Sequence, residues 1–108
     1  MSLSHSRRNQ FVRLSSELLD AMANAQRLAI LSILIGEEIS VGSLSKRIGL
    51  SQSALSQHLS RLRSAGLVVT RRDAQTIYYR CEDSGVKQLV ATLSELFPSK
   101  TPPASFGV

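Results

Sequence analysis

Apolar positions early in the chain recur at the spacing of a helix. Phe11, Leu14, Leu18 and Met22 lie three or four positions apart, so they fall on one face of a helix. The pattern predicts an amphipathic helix that starts its apolar stripe at Phe11 and ends near Ala23. Such a helix buries one face and leaves the opposite face in solvent.

The next segment is apolar around most of a helical circumference. Residues 25–35, AQRLAILSILI, carry leucine or isoleucine on nearly every side, which is typical of a central buried helix. Asn24 is a suitable N-cap, because its side chain can accept a hydrogen bond from a first-turn amide. Gly36 is a plausible end to this helix.

A short helix and a longer helix follow, joined by a glycine-containing turn. Residues 42–48 predict the short helix, which ends at Gly49, and residues 52–65 predict the longer one, which Ser51 can cap. The core stripe of the longer helix consists of Leu55, Leu59 and Leu62. This order is typical of a helix-turn-helix motif, although other packed helix pairs share the spacing.

The period then changes from that of a helix to that of a strand. Residues 67–72 and 75–81 are rich in β-branched and aromatic side chains, which predicts a β-hairpin with Asp73 and Ala74 between its strands. Residues 39–41 can add a very short strand. Residues 83–97 return to helical spacing.

These elements predict one domain, mainly α with a β-hairpin. The fold class is a winged helix-turn-helix of about five helices plus a two-stranded wing, and it is dimeric. Residues 1–9 are expected to form a flexible N-terminal arm, residues 10–97 the winged-helix domain, and residues 98–108 a disordered tail.

Positive charge is concentrated in the middle of the 108-residue chain. Residues 46–80 contain seven lysine or arginine residues and a single acidic residue, Asp73, whereas the whole chain has a net charge of +5. A localised basic surface is typical of a protein that binds a polyanion such as nucleic acid. A solubilising, solvated face would give the same composition.

The helix predicted over residues 52–65 has a neutral polar face where lysine and glutamate are more usual. At 100° per residue, Ser53 and Gln57 lie opposite the leucine stripe, with Ser56 on its flank. Glutamine, serine and arginine side chains can hydrogen-bond to base edges in a major groove. We therefore expect this face to read bases, and its candidate residues are Gln52, Ser53, Ser56 and Gln57. A serine-rich surface without function is the alternative, and His58 is expected to pack against the core.

A second set of polar residues around this helix suits contact with the DNA backbone. The candidates are Lys46, Ser51, Arg61, Arg71, Arg72 and Gln75. Ser51 could instead serve only as an N-cap. The hairpin arginines could instead only discourage pairing of the strand edges with other chains.

Catalysis, metal binding and membrane insertion find little support in the sequence. No paired carboxylates, phosphate-binding glycine loop or Ser/His/Asp set is present, so no catalytic residue, metal site or cofactor is expected. No apolar run is long enough to cross a membrane. The single cysteine, Cys81, allows no internal disulfide, which fits a reducing compartment such as the cytoplasm. Packing is its expected role.

Four segments together resemble the arsenic-repressor (ArsR/SmtB) family of bacterial winged-helix regulators. They are NAQRLAILSILI (24–35), VGSLSKRIGL (41–50), SQSALSQHLSRLR (51–63) and GLVVTRRDAQTIYYR (66–80). The resemblance spans about residues 15–95 and is strongest to the metal-independent branch of NolR and HlyU type. The cysteine pair and the histidine ligands of the family's metal sensors are absent from residues 39–45 and 83–97.

The resemblance implies a homodimer on double-stranded DNA, formed through the first and last helices. The expected interface residues are Phe11, Leu14, Leu18, Val86, Leu89, Val90, Leu93 and Phe97. It implies a repressor of transcription that binds a palindromic operator and responds to an unknown inducer, if to any. A winged helix used only for protein contacts, or a thiol-responsive regulator that uses Cys81, are the alternatives.

Overall fold

The computed structural model of the chain describes the backbone of residues 2–98 and the side chains of residues 6–98. Within that range it contains five helices and three short strands. They are α1 (Ser2–Met22), α2 (Ala25–Gly36), β1 (Ile39–Ser40), α3 (Val41–Ile48), α4 (Gln52–Ser64), β2 (Val69–Asp73), β3 (Thr76–Arg80) and α5 (Ser84–Leu96). This order confirms the predicted winged helix-turn-helix architecture, with β2 and β3 as the wing.

Leucine and isoleucine side chains from α2, α3 and α4 form the centre of the core. Ile30 and Leu31 of α2, Leu44 of α3 and Leu55 of α4 have no exposed surface. The backbone amide of Cys81 donates to the carbonyl oxygen of Leu34 at 3.0 Å, which ties the end of the wing to the central helix. The prediction that α2 is the central buried helix is confirmed.

The wing belongs to a three-stranded antiparallel sheet of order β1-β3-β2. Tyr79 of β3 lies opposite Thr70 on one side and Ile39 on the other. Ile39 is buried and Tyr79 packs on the core, so these two residues mark the core-facing side of the sheet. Since side chains alternate along a strand, Arg71, Tyr78 and Arg80 point to the outer face.

The wing turns at Ala74 and Gln75, one position later than the sequence predicted. Asp73 pairs with Thr76, so Asp73 ends β2 and is not part of the turn. Ala74 has φ of 58°, in the left-handed region that costs an alanine about 1–2 kcal/mol. The usual glycine signal of a tight hairpin is missing here, which is why the prediction misplaced the turn.

The first helix begins earlier than the apolar stripe indicated. α1 starts at Ser2, whereas the stripe predicted a start at Phe11. The intervening SLSHSRRNQ contains neither proline nor glycine, so nothing in it interrupts a helix. Flexibility of residues 1–9 stays a prediction, and the predicted tail lies outside the described residues except for Pro98.

No single helix in the described part of the chain is long and apolar enough to span a membrane. Residues 6–22 and 25–36 meet the length and composition criterion only as a pair bent by 93°. The second member of that pair is the central core helix α2.

Candidate nucleic-acid interface

The turn between α3 and α4 is closed by local hydrogen bonds. Gly49 adopts the left-handed conformation (φ 81°, ψ 29°) that lets the chain leave α3. The hydroxyl of Ser45 donates to the carbonyl oxygen of Leu50 at 2.5 Å. The Ser51 hydroxyl oxygen accepts from the amide of Ala54 at 3.2 Å, so Ser51 caps α4 as predicted. The entry to α4 is therefore held in one geometry.

α4 divides into a buried leucine stripe and an exposed polar face. Leu55, Leu59 and Leu62 are buried, and the opposite positions are exposed to solvent. The exposed neutral side chains are Gln52, Ser53, Ser56, Gln57 and Ser60. His58 is half-buried, in agreement with the packing role expected for it. The structure thus brings all four candidate base-reading residues onto the surface of one helix.

The polar side chains on this face are not used for hydrogen bonds within the helix, unlike those of Ser16 in α1 and Ser32 in α2. Ser16 and Ser32 donate to carbonyl oxygens one turn earlier, at 2.7 and 2.8 Å. Within residues 6–98, the side chains of Ser53, Ser56 and Gln57 make no hydrogen bond to protein. Their donors and acceptors remain available to an outside partner such as a base edge.

Two arginines of the helix-turn-helix are paired with acidic residues from elsewhere in the chain. Arg61 of α4 pairs with Asp20 of α1, and Arg47 Nη2 lies 3.1 Å from Glu37 Oε2. The Arg61–Asp20 pair borders an open cleft of about 470 Å³ between α1 and the end of α4. Arg61 was predicted to contact the DNA backbone, and in the free chain it pairs with Asp20.

Arg71 and Arg80 of the wing are also paired. The Nη2 atom of Arg71 lies 2.8 Å from Glu38 Oε1, and its guanidinium stacks 4.5 Å above the Tyr78 ring. Arg80 lies between Glu38, at 3.5 Å, and Glu82, at 2.8 Å. The hydrogen bonds from Arg71 are the largest of the effects that lower the pKa of Glu38. Arg71, too, faces a protein carboxylate in the free chain, and its predicted role on the DNA backbone stays a prediction.

Three basic side chains of this region stay exposed and make no ion pair within the part of the chain that the structure describes. They are Lys46 of α3, Arg63 near the end of α4, and Arg72 of β2. Lys46 and Arg72 were candidate backbone contacts. Arg63 was missed, because its helical angle placed it nearer the core side. Gln75 is exposed at the wing tip. Positive charge available to a polyanion is therefore smaller than the sequence count suggested.

Apolar side chains of α1, of α5 and of Phe97 directly after α5 are exposed in the single chain. Phe11 is 69% exposed and Phe97 is 76% exposed, and Leu14 and Leu93 are exposed as well. Leu96, which was not among the predicted interface residues, is 63% exposed. Large exposed apolar side chains on two neighbouring elements are typical of a surface that contacts another protein.

Four of the residues expected at the dimer interface lie deeper than predicted. Leu18, Leu89 and Val90 are partly buried against the core of the same chain. Val86 has no exposed surface, so it is a core residue and has nothing to offer a partner. The reason is that Asp83 caps α5, accepting from the amide of Val86 at 3.0 Å, and this first turn docks on the core.

The structure offers little for redox or metal chemistry in its described part. Cys81 is 2% exposed, and burial raises the pKa of its thiol. Both effects oppose formation of a reactive thiolate. Residues 6–98 contain no group of three or more His, Cys, Asp or Glu side chains that could hold a metal ion.

Comparison with known proteins identifies the family. Residues 24–70 match the model described as bacterial regulatory protein, arsR family. The transcriptional activator HlyU of Vibrio cholerae is 54% identical over 80 residues, which are 74% of each chain. The crystal structure of NolR from Sinorhizobium fredii superposes with a TM-score of 0.82 at 48% identity, covering 86% of this chain and 93% of that one.

A second solved structure extends the comparison to a repressor. The transcriptional repressor BigR from Xylella fastidiosa superposes with a TM-score of 0.77 at 34% identity, covering 93% of this chain and 99% of that one. The exposed polar face of α4 and the basic side chains of the wing agree with these matches, which include regulators of transcription. The chain belongs to the ArsR family of bacterial regulatory proteins, and it is a DNA-binding regulator of transcription rather than an enzyme.

Proposed function

We propose that the protein is a transcriptional repressor that binds a palindromic operator as a homodimer. The observation that carries this proposal is the exposed face of α4, where Gln52, Ser53, Ser56 and Gln57 have no partner within residues 6–98. An α-helix fits the major groove of B-DNA, and glutamine can make a two-point contact with adenine. α4 is therefore the reading helix, with Gln57 as its principal base contact.

The wing and the start of α4 contribute contacts to the phosphates. Arg72 and Gln75 are exposed on the wing, and Lys46 is exposed on α3, the helix that precedes the reading helix. The hydroxyl of Ser51 uses its oxygen for the helix cap and keeps its proton for a phosphate oxygen. These groups hold the protein on the duplex and carry no sequence information of their own.

A two-fold symmetric dimer accounts for a palindromic operator, because each protomer binds one half-site. Two reading helices related by a two-fold axis address half-sites about 34 Å apart, roughly one turn of the duplex. The exposed apolar residues of α1 and α5 support a dimer, with Phe11, Leu14, Leu93 and Phe97 at its centre. Sedimentation equilibrium of Phe97→Ser should give monomers where the wild type gives dimers.

Val69→Ser is the matched control, because Val69 is an exposed apolar residue on the wing rather than on α1 or α5. A dimer that survives Phe97→Ser together with Phe11→Ser would contradict this interface. A dimer lost equally in Val69→Ser would contradict it as well.

Repression is the favoured outcome of binding. BigR is named a repressor and HlyU an activator, so the family includes both repressors and activators of transcription. We favour repression because several relatives of this chain are named repressors. We place the protein in the bacterial cytoplasm, on the nucleoid when bound, and without the metal site of the family's metal sensors.

Selection of bound sequences from random DNA tests the proposal. The expected result is an enriched, two-fold symmetric sequence that lowers expression of a reporter when placed over its promoter. Enrichment without symmetry would refute the dimer model, and activation of the reporter would refute repression.

A further inference from the structure

The outer face of the wing sheet carries a charged cluster that joins all three strands. Its members are Glu38, Arg71, Tyr78 and Arg80, which we call the Glu38 cluster. β1 pairs Ile39 with Tyr79, so Glu38 lies one step further along, beside Arg80. Arg71 lies on β2, on the far side of β3 from Glu38. Its side chain therefore crosses the middle strand to reach the carboxylate.

The contacts of Arg71 leave its guanidinium little freedom. Nε lies 3.1 Å from Oε1 of Glu38 and 3.3 Å from Oε2, and Nη2 lies 2.8 Å from Oε1. The Tyr78 ring lies 4.5 Å below the guanidinium carbon, which adds a cation–π contact. Arg71 is thus a strap across the sheet, engaged along one edge and on one face.

Isolated ion pairs on a surface contribute little, but this cluster is a network with fork-like geometry. Glu38 is only 30% exposed as a side chain and it holds two arginines at once. A glutamate is ionised at neutral pH, and the hydrogen bonds from Arg71 lower the pKa of Glu38 further. The network is therefore present under the conditions in which a regulator binds DNA.

Glu38 lies where the chain enters the helix-turn-helix, so the cluster connects the wing to that motif. Glu38 follows α2 and directly precedes β1 and α3, where the helix-turn-helix begins. β1 has two residues, so its ladder alone is a weak connection between the wing and that motif. Arg71 belongs to the wing, and its strap fixes the hairpin against the entry to the helix-turn-helix.

We propose that Glu38 is a positioning residue for DNA recognition, which sets the wing relative to the reading helix. The inference rests on the proposed function, in which α4 and the wing meet one operator together. Glu38 itself carries no positive charge and does not contact DNA. It acts through Arg71 and Arg80, so that Arg72 and Gln75 reach the backbone while α4 lies in the groove.

Glu38→Gln tests this proposal, with Glu37→Gln as the matched control. Both variants remove one negative charge at neighbouring positions, but Glu37 pairs with Arg47 of α3 and not with the wing. The affinity of the full-length chain is measured by fluorescence anisotropy for two duplexes. One carries the sequence selected with the wild type, and the other is a scrambled duplex of equal length and composition.

The expected result is a specificity ratio that falls about fivefold in Glu38→Gln, the scale of a network pair of this kind, and is unchanged in Glu37→Gln. Arg71→Lys keeps the charge but loses the fork, and it should lower the ratio similarly. Because the two act through one contact, the double variant should be no worse than either single variant. Arg71→Lys also serves as the test if Glu38→Gln proves too unstable to measure.

An equal ratio in Glu38→Gln and Glu37→Gln would overturn the proposal. So would a rise in affinity for both duplexes alike in Glu38→Gln, since Glu38 would then be only a counter-charge. A wild type that does not prefer the selected duplex would instead overturn the proposed function, and this inference with it.

Discussion

The salt dependence of DNA binding follows from which arginines are already paired within the chain. Seven basic residues lie between positions 46 and 80, and four of them face carboxylates from other segments. Lys46, Arg63 and Arg72 remain available within the described residues. A dimer therefore presents six such side chains to the phosphates.

The slope of log K against log salt concentration is about −0.9 for each phosphate that is neutralised. Six contacts give a slope of about −5, which lowers the affinity roughly 10³-fold between 50 and 200 mM salt. If all seven basic residues of each protomer acted on phosphates, the slope would be about −13. The two expected slopes differ by more than twofold, so a salt titration of DNA affinity distinguishes them.

Two substitutions separate the roles of paired and unpaired arginines. Arg72→Ala removes one available cation from each protomer, so the slope should become shallower by about 2. Arg61→Ala removes a cation that already faces Asp20 outside the wing, so the slope should change little. Anisotropy titrations over 50–300 mM potassium chloride, on a duplex of fixed length, measure both.

A wild-type slope near −13 would refute the reasoning, because the arginines that pair with carboxylates in the free chain would then neutralise phosphates as well. An equal loss of slope in Arg61→Ala and Arg72→Ala would refute it in the same way.

Further predictions concern the wing and the core. Ala74→Gly should raise the melting temperature by about 3 °C, because relief of the left-handed alanine outweighs the added chain entropy of glycine; a lower melting temperature in calorimetry would contradict the turn. Cys81, the only cysteine, should react with a thiol reagent far more slowly in the native protein than in urea; rapid native labelling would restore the thiol-responsive alternative. The pKa values of Glu38 and Glu82 are lowered, so their contribution to stability is complete above pH 4.5 and is lost as the pH falls through the lowered values. Urea denaturation between pH 3 and 7 should therefore show that acidification lowers the free energy of unfolding less in Glu38→Gln than in the wild type.

Helix boundaries with local chemical signals were predictable from the sequence. Asn24 and Ser51 cap α2 and α4, and Gly49 ends α3 in the left-handed conformation. These signals act within a few residues, so a linear pattern contains them. The start of α1 has no such signal, since the apolar stripe begins nine positions after the helix does. Amphipathic spacing reports where a helix packs rather than where it starts.

The charges were the least predictable part of the candidate site. Arg61 pairs across 41 positions and Arg71 across 33, with acidic residues outside the basic segment. Only the folded chain brings these groups together, so counting charges along the segment overstated the available positive charge. The exposed neutral face of α4 was predictable because the helical angle and the leucine stripe fix it locally.

Sequence selection with the wild type and with Gln57→Ala tests the central claim, which is that α4 reads bases. The account predicts a two-fold symmetric motif for the wild type, with half-sites about 10 base pairs apart, and a loss of preference at the same position of each half-site in Gln57→Ala. An identical motif from both proteins, at equal affinity, would contradict it.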